Sequence, residues 1–99
     1  MDITKVSNEN NLTLKISGSI DSRTAPQFEE ALIPALDTSK NTVVDFTDVK
    51  YISSAGLRVL LMGHKKAKAG GGKLSISNVS SFVMEIFDVT GFASNLDFS

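Results

Sequence analysis

The sequence predicts an α/β fold: a small mixed β-sheet of four to five strands with helices packed against it, in a single domain that spans residues 1–99. Three observations support this prediction. Apolar and polar residues alternate over 12–17, which is typical of a half-buried strand. The β-branched and aromatic residues at 43–46 indicate a buried strand, and the leucines that follow it recur at helical spacing. Strands that alternate with helices in this way favour parallel pairing with right-handed crossovers.

The first half of the chain predicts a hairpin followed by a helix. Residues 2–6 alternate weakly and should pair with the strand at 12–17 across a polar turn, and Gly18 is expected to end the second strand. A helix should begin at Thr24 as its N-cap. Pro34 predicts a kink or an early end just before it, because proline removes a backbone donor and clashes one turn back. The predicted core face of this helix is Phe28, Ala31, Leu32 and Ala35.

The second half of the chain continues the alternation of strands and helices. A buried strand over 42–46 is expected to end at the polar pair Thr47-Asp48, and a helix should run from about 54 to 69, where three glycines stop it. The remaining predicted elements are a strand around Leu74 and Ile76, a short third helix and a last short strand over 95–98. The helix should be capped by Ser80-Ser81 and closed by Gly91, with Phe82, Val83, Ile86 and Phe87 inward.

Composition excludes several classes of protein. The chain has no cysteine and one histidine, which excludes disulfides, thiolate catalysis and sites built from several histidines. Its net charge of −1 gives no overall attraction to nucleic acid, and no apolar run is long enough to span a bilayer. The N-terminus carries no apolar signal segment, so a cytoplasmic location is expected. We expect no cofactor, no direct nucleic-acid partner and no membrane insertion.

Two adjacent serines stand where the second predicted helix begins. Ser53 and Ser54 would present hydroxyls at the positive end of that helix, a place that favours an anion such as a phosphate. Serine is also an ordinary N-cap that needs no further function, so both interpretations stay open at this point. No acid or base stands beside the pair in sequence. His64 lies about 15 Å beyond Ser54 along the helix axis and cannot activate it. The residues therefore indicate a substrate and binding partner rather than an enzyme, with no catalytic residues.

Three carboxylates could gather near the second helix. Asp21, Asp45 and Asp48 all stand at predicted turns or strand ends. A metal site there is conceivable, but aspartates in such positions more often cap backbone amides, so no metal site is predicted.

Three segments resemble the STAS domain family, typified by bacterial anti-sigma-factor antagonists. The longest runs from Asp45 to Leu57 and holds an aromatic residue, the two serines and a Gly-Leu pair. Gly18 to Ala25 is similar to the family's Gly-x-Leu/Ile-Asp segment, and Phe87 to Phe92 is similar to its Phe-Asp-x-Ser/Thr-Gly segment. The three occur in the family's order and cover nearly the whole chain. The resemblance implies the same mixed sheet that the periodicity predicts.

The resemblance also implies a role for the serines. In anti-sigma-factor antagonists the serine before a small residue and Gly-Leu is phosphorylated by a partner serine kinase that is also the anti-sigma factor, and that position here is Ser54. Family members often have aspartate immediately before it, whereas this chain has Ser53, which is an alternative acceptor. Members also commonly carry another helix after the last strand. The end at Ser99 is therefore expected either to lower stability or to leave a sheet face open to a partner.

The sequence also predicts where a partner binds and leaves two alternative functions open. The loop after the second strand and the turn before the second helix should share one edge of the sheet, where loops commonly carry binding residues. The expected partner-binding residues are Asp21, Ser22, Arg23, Thr24, Ser53, Ser54 and Arg58. A monomer or weak dimer is expected. The resemblance leaves open a STAS subunit of a membrane lipid-transport ATPase complex, and nucleotide binding ranks last because no phosphate-loop motif is present.

Overall fold

A four-stranded mixed sheet organises the chain in the computed structural model, which describes all residues from 1 to 99. The strands lie in the order β1-β2-β3-β4. The elements are β1 (Asp2–Asn8), β2 (Asn11–Ile20), α1 (Ala25–Thr38), β3 (Asn41–Ile52), α2 (Ser54–Ala69), β4 (Lys73–Ser77), α3 (Ser81–Thr90) and a 3₁₀ turn (Phe92–Asn95). β1 and β2 form the predicted antiparallel hairpin, and β2, β3 and β4 pair in parallel. The predicted α/β class is confirmed.

β2 and β3 run further than the sequence predicts. The expected ends at Gly18 and at Thr47-Asp48 are wrong, since both strands continue and pair as far as Ile20 and Ile52. The register between them shifts twice, and these irregularities absorb the residues that were expected to stop the strands. Gly18 takes a φ of +95°, a conformation that glycine adopts without strain. The extension carries the loops that follow both strands well past the end of β4.

α1 passes through Pro34 and ends only at Thr38, so the helix does not end early at the proline. Both Pro34 and Glu30, whose carbonyl loses the helical hydrogen bond, are exposed. Water can therefore satisfy that carbonyl, while burial on the opposite side of the helix holds the element together. The residues that α1 buries are Ala25, Phe28, Leu32 and Ala35, and the predicted core residue Ala31 is only half-buried.

The C-terminal part departs from the predictions at two places. In α3, Val83 and Phe87 are buried as expected and Ile86 is half-buried, but Phe82 points outward with 59% of its surface exposed. The expected strand over 95–98 is a 3₁₀ turn followed by a single parallel bridge between Phe98 and Ile76. Phe98 packs edge-on against Phe87, with 5.3 Å between the ring centroids, and this contact fixes the segment without a full strand.

The caps of α3 are as predicted. The Ser80 side chain accepts a hydrogen bond of 3.2 Å from the amide of Val83, and Gly91 closes the helix with a left-handed φ of +79°.

Candidate partner-binding surface at the ends of β2 and β3

The predicted loop and turn lie side by side because the two strands that lead into them are paired to their last residues. Ile20 is the register partner of Ile52, and the amide of Ser53 donates a hydrogen bond of 2.8 Å to the Ile20 carbonyl. The loop 21–24 and the turn 53–54 thus leave the same edge of the sheet. The structure brings these two segments together as the sequence predicts.

The two serines at the start of α2 have different environments. Ser53 is the N-cap, with an extended φ of −95° and ψ of 176°, and Ser54 is the first helical residue. The Ser53 hydroxyl oxygen is buried and has no hydrogen-bond partner, so it does not cap the helix. Ser54 is exposed. The first helical hydrogen bond runs from the amide of Leu57 to the carbonyl of Ser53, so the amides of residues 54–56 have no helical acceptor.

Gly56 brings the first turn of α2 close to the sheet. A Cβ at this position would lie 2.7 Å from side-chain atoms of both Ile20 and Ile52, closer than real contacts allow. The absence of a side chain therefore lets the helix start directly on the last residues of β2 and β3. This contact fixes the height and direction at which Ser54 is presented.

Asp21 and Thr24 lock the neighbouring loop. The Asp21 carboxylate accepts hydrogen bonds from the amides of Arg23 at 2.9 Å and Thr24 at 3.1 Å. These bonds hold the pKa of Asp21 below its usual range, and the bond from the Arg23 amide has the largest effect. Thr24 occupies the predicted N-cap position of α1, but its hydroxyl does not cap that helix; it accepts from the Asp21 amide and donates to the Ser19 carbonyl, both at 2.9 Å. Ser22 and Arg23 are left exposed at the tip of the loop.

Arg58 is exposed on α2, one turn after Ser54. Neither Arg58 nor Arg23 takes part in an ion pair, since the two ion pairs of the structure are His64–Asp97 and Lys66–Asp37. The surface therefore combines a helix N-terminus with two free guanidinium groups. Such a surface can hold an anion or contact a partner.

The three aspartates do not converge. Asp45 lies in β3, where Thr47 and Asn78 donate to its carboxylate at 2.6 and 3.1 Å. Burial raises the pKa of Asp45, and these hydrogen bonds outweigh that effect and leave the pKa below its usual range. No three carboxylate or imidazole side chains come close enough together to hold a metal ion. Asp21, Asp45 and Asp48 therefore do not form the cluster that the sequence left open. His64 is half-buried on α2, 3.8 Å from the carboxylate of Asp97.

Sequence reasoning missed two determinants of this surface. One is the burial of the Ser53 hydroxyl, which depends on the strand extension that the sequence did not reveal. The other is the close approach at Gly56, for which the run of small residues Ser53 to Gly56 was an available signal.

This chain is similar to proteins of a known family. The family model described as "Mlab, STAS domain" matches residues 3–96. The anti-sigma-B factor antagonist of Bacillus subtilis is 35% identical over 92 residues, which are 93% of this chain and 84% of that protein. The chain belongs to the STAS domain family.

Solved structures show the same fold. An anti-sigma factor antagonist from Mycobacterium paratuberculosis superposes with a TM-score of 0.86 at 21% identity, over 98% of this chain and 83% of the other. The Bacillus protein SpoIIAA, an anti-sigma factor antagonist, has been solved in an unphosphorylated form, with a TM-score of 0.82 at 15% identity over 99% and 88% of the two chains. Its phosphorylated form superposes with a TM-score of 0.76 at 14% identity, over 99% and 91%. None of the helices of the present chain combines the length and apolar character needed to cross a bilayer.

Proposed function

We propose that this protein is an anti-sigma-factor antagonist of the bacterial cytoplasm, which binds an anti-sigma serine kinase, releases a sigma factor and is switched off by phosphorylation of Ser54. The observation that carries the proposal is the exposure of Ser54 as the first residue of α2, beside the loop 21–24. The relatives named anti-sigma-B factor antagonist support the class of partner.

Ser54, and not Ser53, is the acceptor in this proposal. A kinase must reach the attacking hydroxyl, and the Ser53 oxygen is buried. Ser53 also donates its amide to Ile20, so turning its side chain outward would disturb the junction of the two segments. Ser53 therefore shapes the turn and Ser54 reacts.

The switch follows from the place of the phosphate. Phosphoserine adds about −1.5 to −2 charges at neutral pH, and a helix N-terminus tolerates or stabilises such a charge. The fold therefore persists. When a partner docks over the phosphate, the charge loses its hydration and gains no opposite charge in exchange, and this desolvation lowers the affinity. Binding is lost while the antagonist stays folded.

A second candidate function is that of a STAS subunit in a membrane lipid-transport complex, which membership of the STAS family leaves open. That function would use a binding surface without a phosphorylation cycle. Co-purification from the native host distinguishes the two, since one candidate retains a serine kinase and the other a transport ATPase.

The test uses an internal control. α3 also begins with a serine pair, in which Ser81 is the exposed first helical residue. The serine kinase that co-purifies with the protein is incubated with it and ATP, and phosphopeptides are located by mass spectrometry. Phosphate is expected on Ser54, with loss in Ser54→Ala and retention in Ser81→Ala. Phosphate on Ser53 or Ser81 alone would contradict the proposal.

A further inference from the structure

The exposed side of α3 carries a surface that the proposed switch does not use. Phe82 and Val89 are 59% and 77% exposed, and they stand seven residues apart, so they lie on one side of the helix. Glu85 lies between them on the same side and Asp88 at its margin, and both are exposed. Two large apolar side chains are thus presented together with two carboxylates.

This surface has no compensating positive charge in its own part of the chain. Residues 74–99 contain three acidic residues and neither lysine nor arginine. Glu85 and Asp88 form no ion pair, since the two in the structure involve Asp37 and Asp97. An apolar patch with an uncompensated negative charge favours a partner that is apolar and basic.

α2 of the same chain carries a matching exposed side. Met62, which is 44% exposed, Lys65 and Ala69 have the same spacing as Phe82, Glu85 and Val89, and all of them are exposed. Lys68 adds a second charge, and neither Lys65 nor Lys68 forms an ion pair. The two helices therefore present complementary surfaces at equal spacing.

An antiparallel arrangement of the two surfaces matches both the apolar and the charged residues. When Met62 faces Val89, the helical rise places Ala69 opposite Phe82. Along the contact the charges then follow in the order Lys68, Glu85, Lys65, Asp88. Their signs alternate, so each charge has opposite neighbours. The antiparallel dipoles of the two helices also attract each other.

We propose that α3 of one molecule docks antiparallel against α2 of a second copy of this chain. The contact joins two different surfaces, so each molecule keeps a free α2 or α3 for a further copy. Two single helices bury less than the ~1,200 Å² of ordinary specific interfaces, so the dissociation constant should be on the order of 0.1–1 mM. The α2 side begins one turn after Arg58 and includes none of the proposed switch residues.

Charge reversal tests the contact in both directions. Sedimentation velocity of the purified wild-type chain should show association that grows with protein concentration up to ~1 mM and weakens in high salt. Glu85→Lys and Lys65→Glu should each weaken the association about fivefold or more. An equimolar mixture of the two variants should recover it, because the unchanged α3 of Lys65→Glu meets the unchanged α2 of Glu85→Lys and forms the wild-type contact.

The control is Glu29→Lys, the same charge change at an exposed position of α1, which should leave the association unchanged. Circular dichroism verifies that each variant is folded. A wild-type chain that stays monomeric to ~1 mM, or a mixture that does not recover association, would overturn the proposal. Binding of a lysine-rich amphipathic peptide to α3 of a chain that stays monomeric would show that the occupant is another protein. No kinase enters these measurements, so their outcome is independent of the proposed function.

Discussion

At the scale of single residues, two adjacent serines differ in the burial of their hydroxyl groups. The Ser53 oxygen faces the protein and the Ser54 side chain faces solvent. A sequence pattern places both at the start of a helix but does not distinguish them, since burial depends on how closely the helix lies against the sheet. The assignment of Ser54 as acceptor rests on this difference.

Substitution of Ser54 should separate folding from binding. In Ser54→Asp the new carboxylate lies in the first turn of α2, where the helix dipole favours folding by about 0.3–1 kcal/mol. The same charge beneath the kinase is uncompensated and should lower affinity about a hundredfold or more. Ser54→Ala should bind as wild type and remain active as an antagonist. Thermal melts and titration calorimetry measure the two effects separately. An unfolded Ser54→Asp variant, or one with wild-type affinity, would refute switching by surface repulsion.

Asp21 should respond to acid through the loop that it holds. The pKa of Asp21 is lowered because the ionised carboxylate accepts hydrogen bonds from two amides. The loop is therefore fully ordered at pH values above the ordinary aspartate pKa. That order is lost as the pH falls through the lowered value. We expect the amide NMR signals of Arg23 and Thr24 to shift with a midpoint below 3.8, the ordinary value. In Asp21→Asn this transition should disappear; if it persists there, another group controls the loop.

At the scale of elements, the sequence predicted the kinds of element better than their ends. α2 begins and ends where it was expected, because serines, a regular leucine spacing and three glycines mark it locally. The ends of β2 and β3 were predicted wrongly because pairing between distant residues, which no local pattern reports, carried both strands further. Exposure of Phe82 was missed because helical spacing alone does not tell which side of a helix faces the core.

Gly56 is the residue on which the start of α2 depends. Gly56→Ala places a methyl group 2.7 Å from atoms of Ile20 and Ile52, and overpacking of this kind costs about 1–3 kcal/mol. The gain in helix propensity is about 1 kcal/mol, so the variant should be less stable by up to about 2 kcal/mol. Gly70→Ala is the matched control, because its Cβ would meet only ordinary contacts at 3.6 Å or more. Urea unfolding of both variants gives the comparison, and equal stabilities would show that the helix start can move freely.

At the scale of the whole molecule, the paired ends of β2 and β3 form one end of the sheet and the lysine-rich end of α2 lies towards the other. Lys73 stands at the beginning of β4, beside Asn41 at the beginning of β3. Parallel strands place their following loops together, which is why binding residues from distant parts of the sequence meet at one edge. Partner binding should therefore depend on the edge that holds Arg23 and Arg58, and not on total charge.

Reversal of these charges tests that dependence. Arg23→Glu and Arg58→Glu should each weaken binding of the anti-sigma kinase, because both side chains are exposed beside Ser54 and its loop and form no ion pair within the chain. Stability should change by less than about 0.5 kcal/mol, as is usual for exposed positions.

Lys73→Glu makes the same change in net charge at the opposite end of the sheet and should leave affinity unchanged. Titration calorimetry at two salt concentrations separates local contact from general attraction, since only general attraction acts equally on all three variants. If Lys73→Glu weakens binding as much as the arginine variants do, the kinase responds to overall charge. If neither arginine variant changes affinity, the partner docks elsewhere on the molecule.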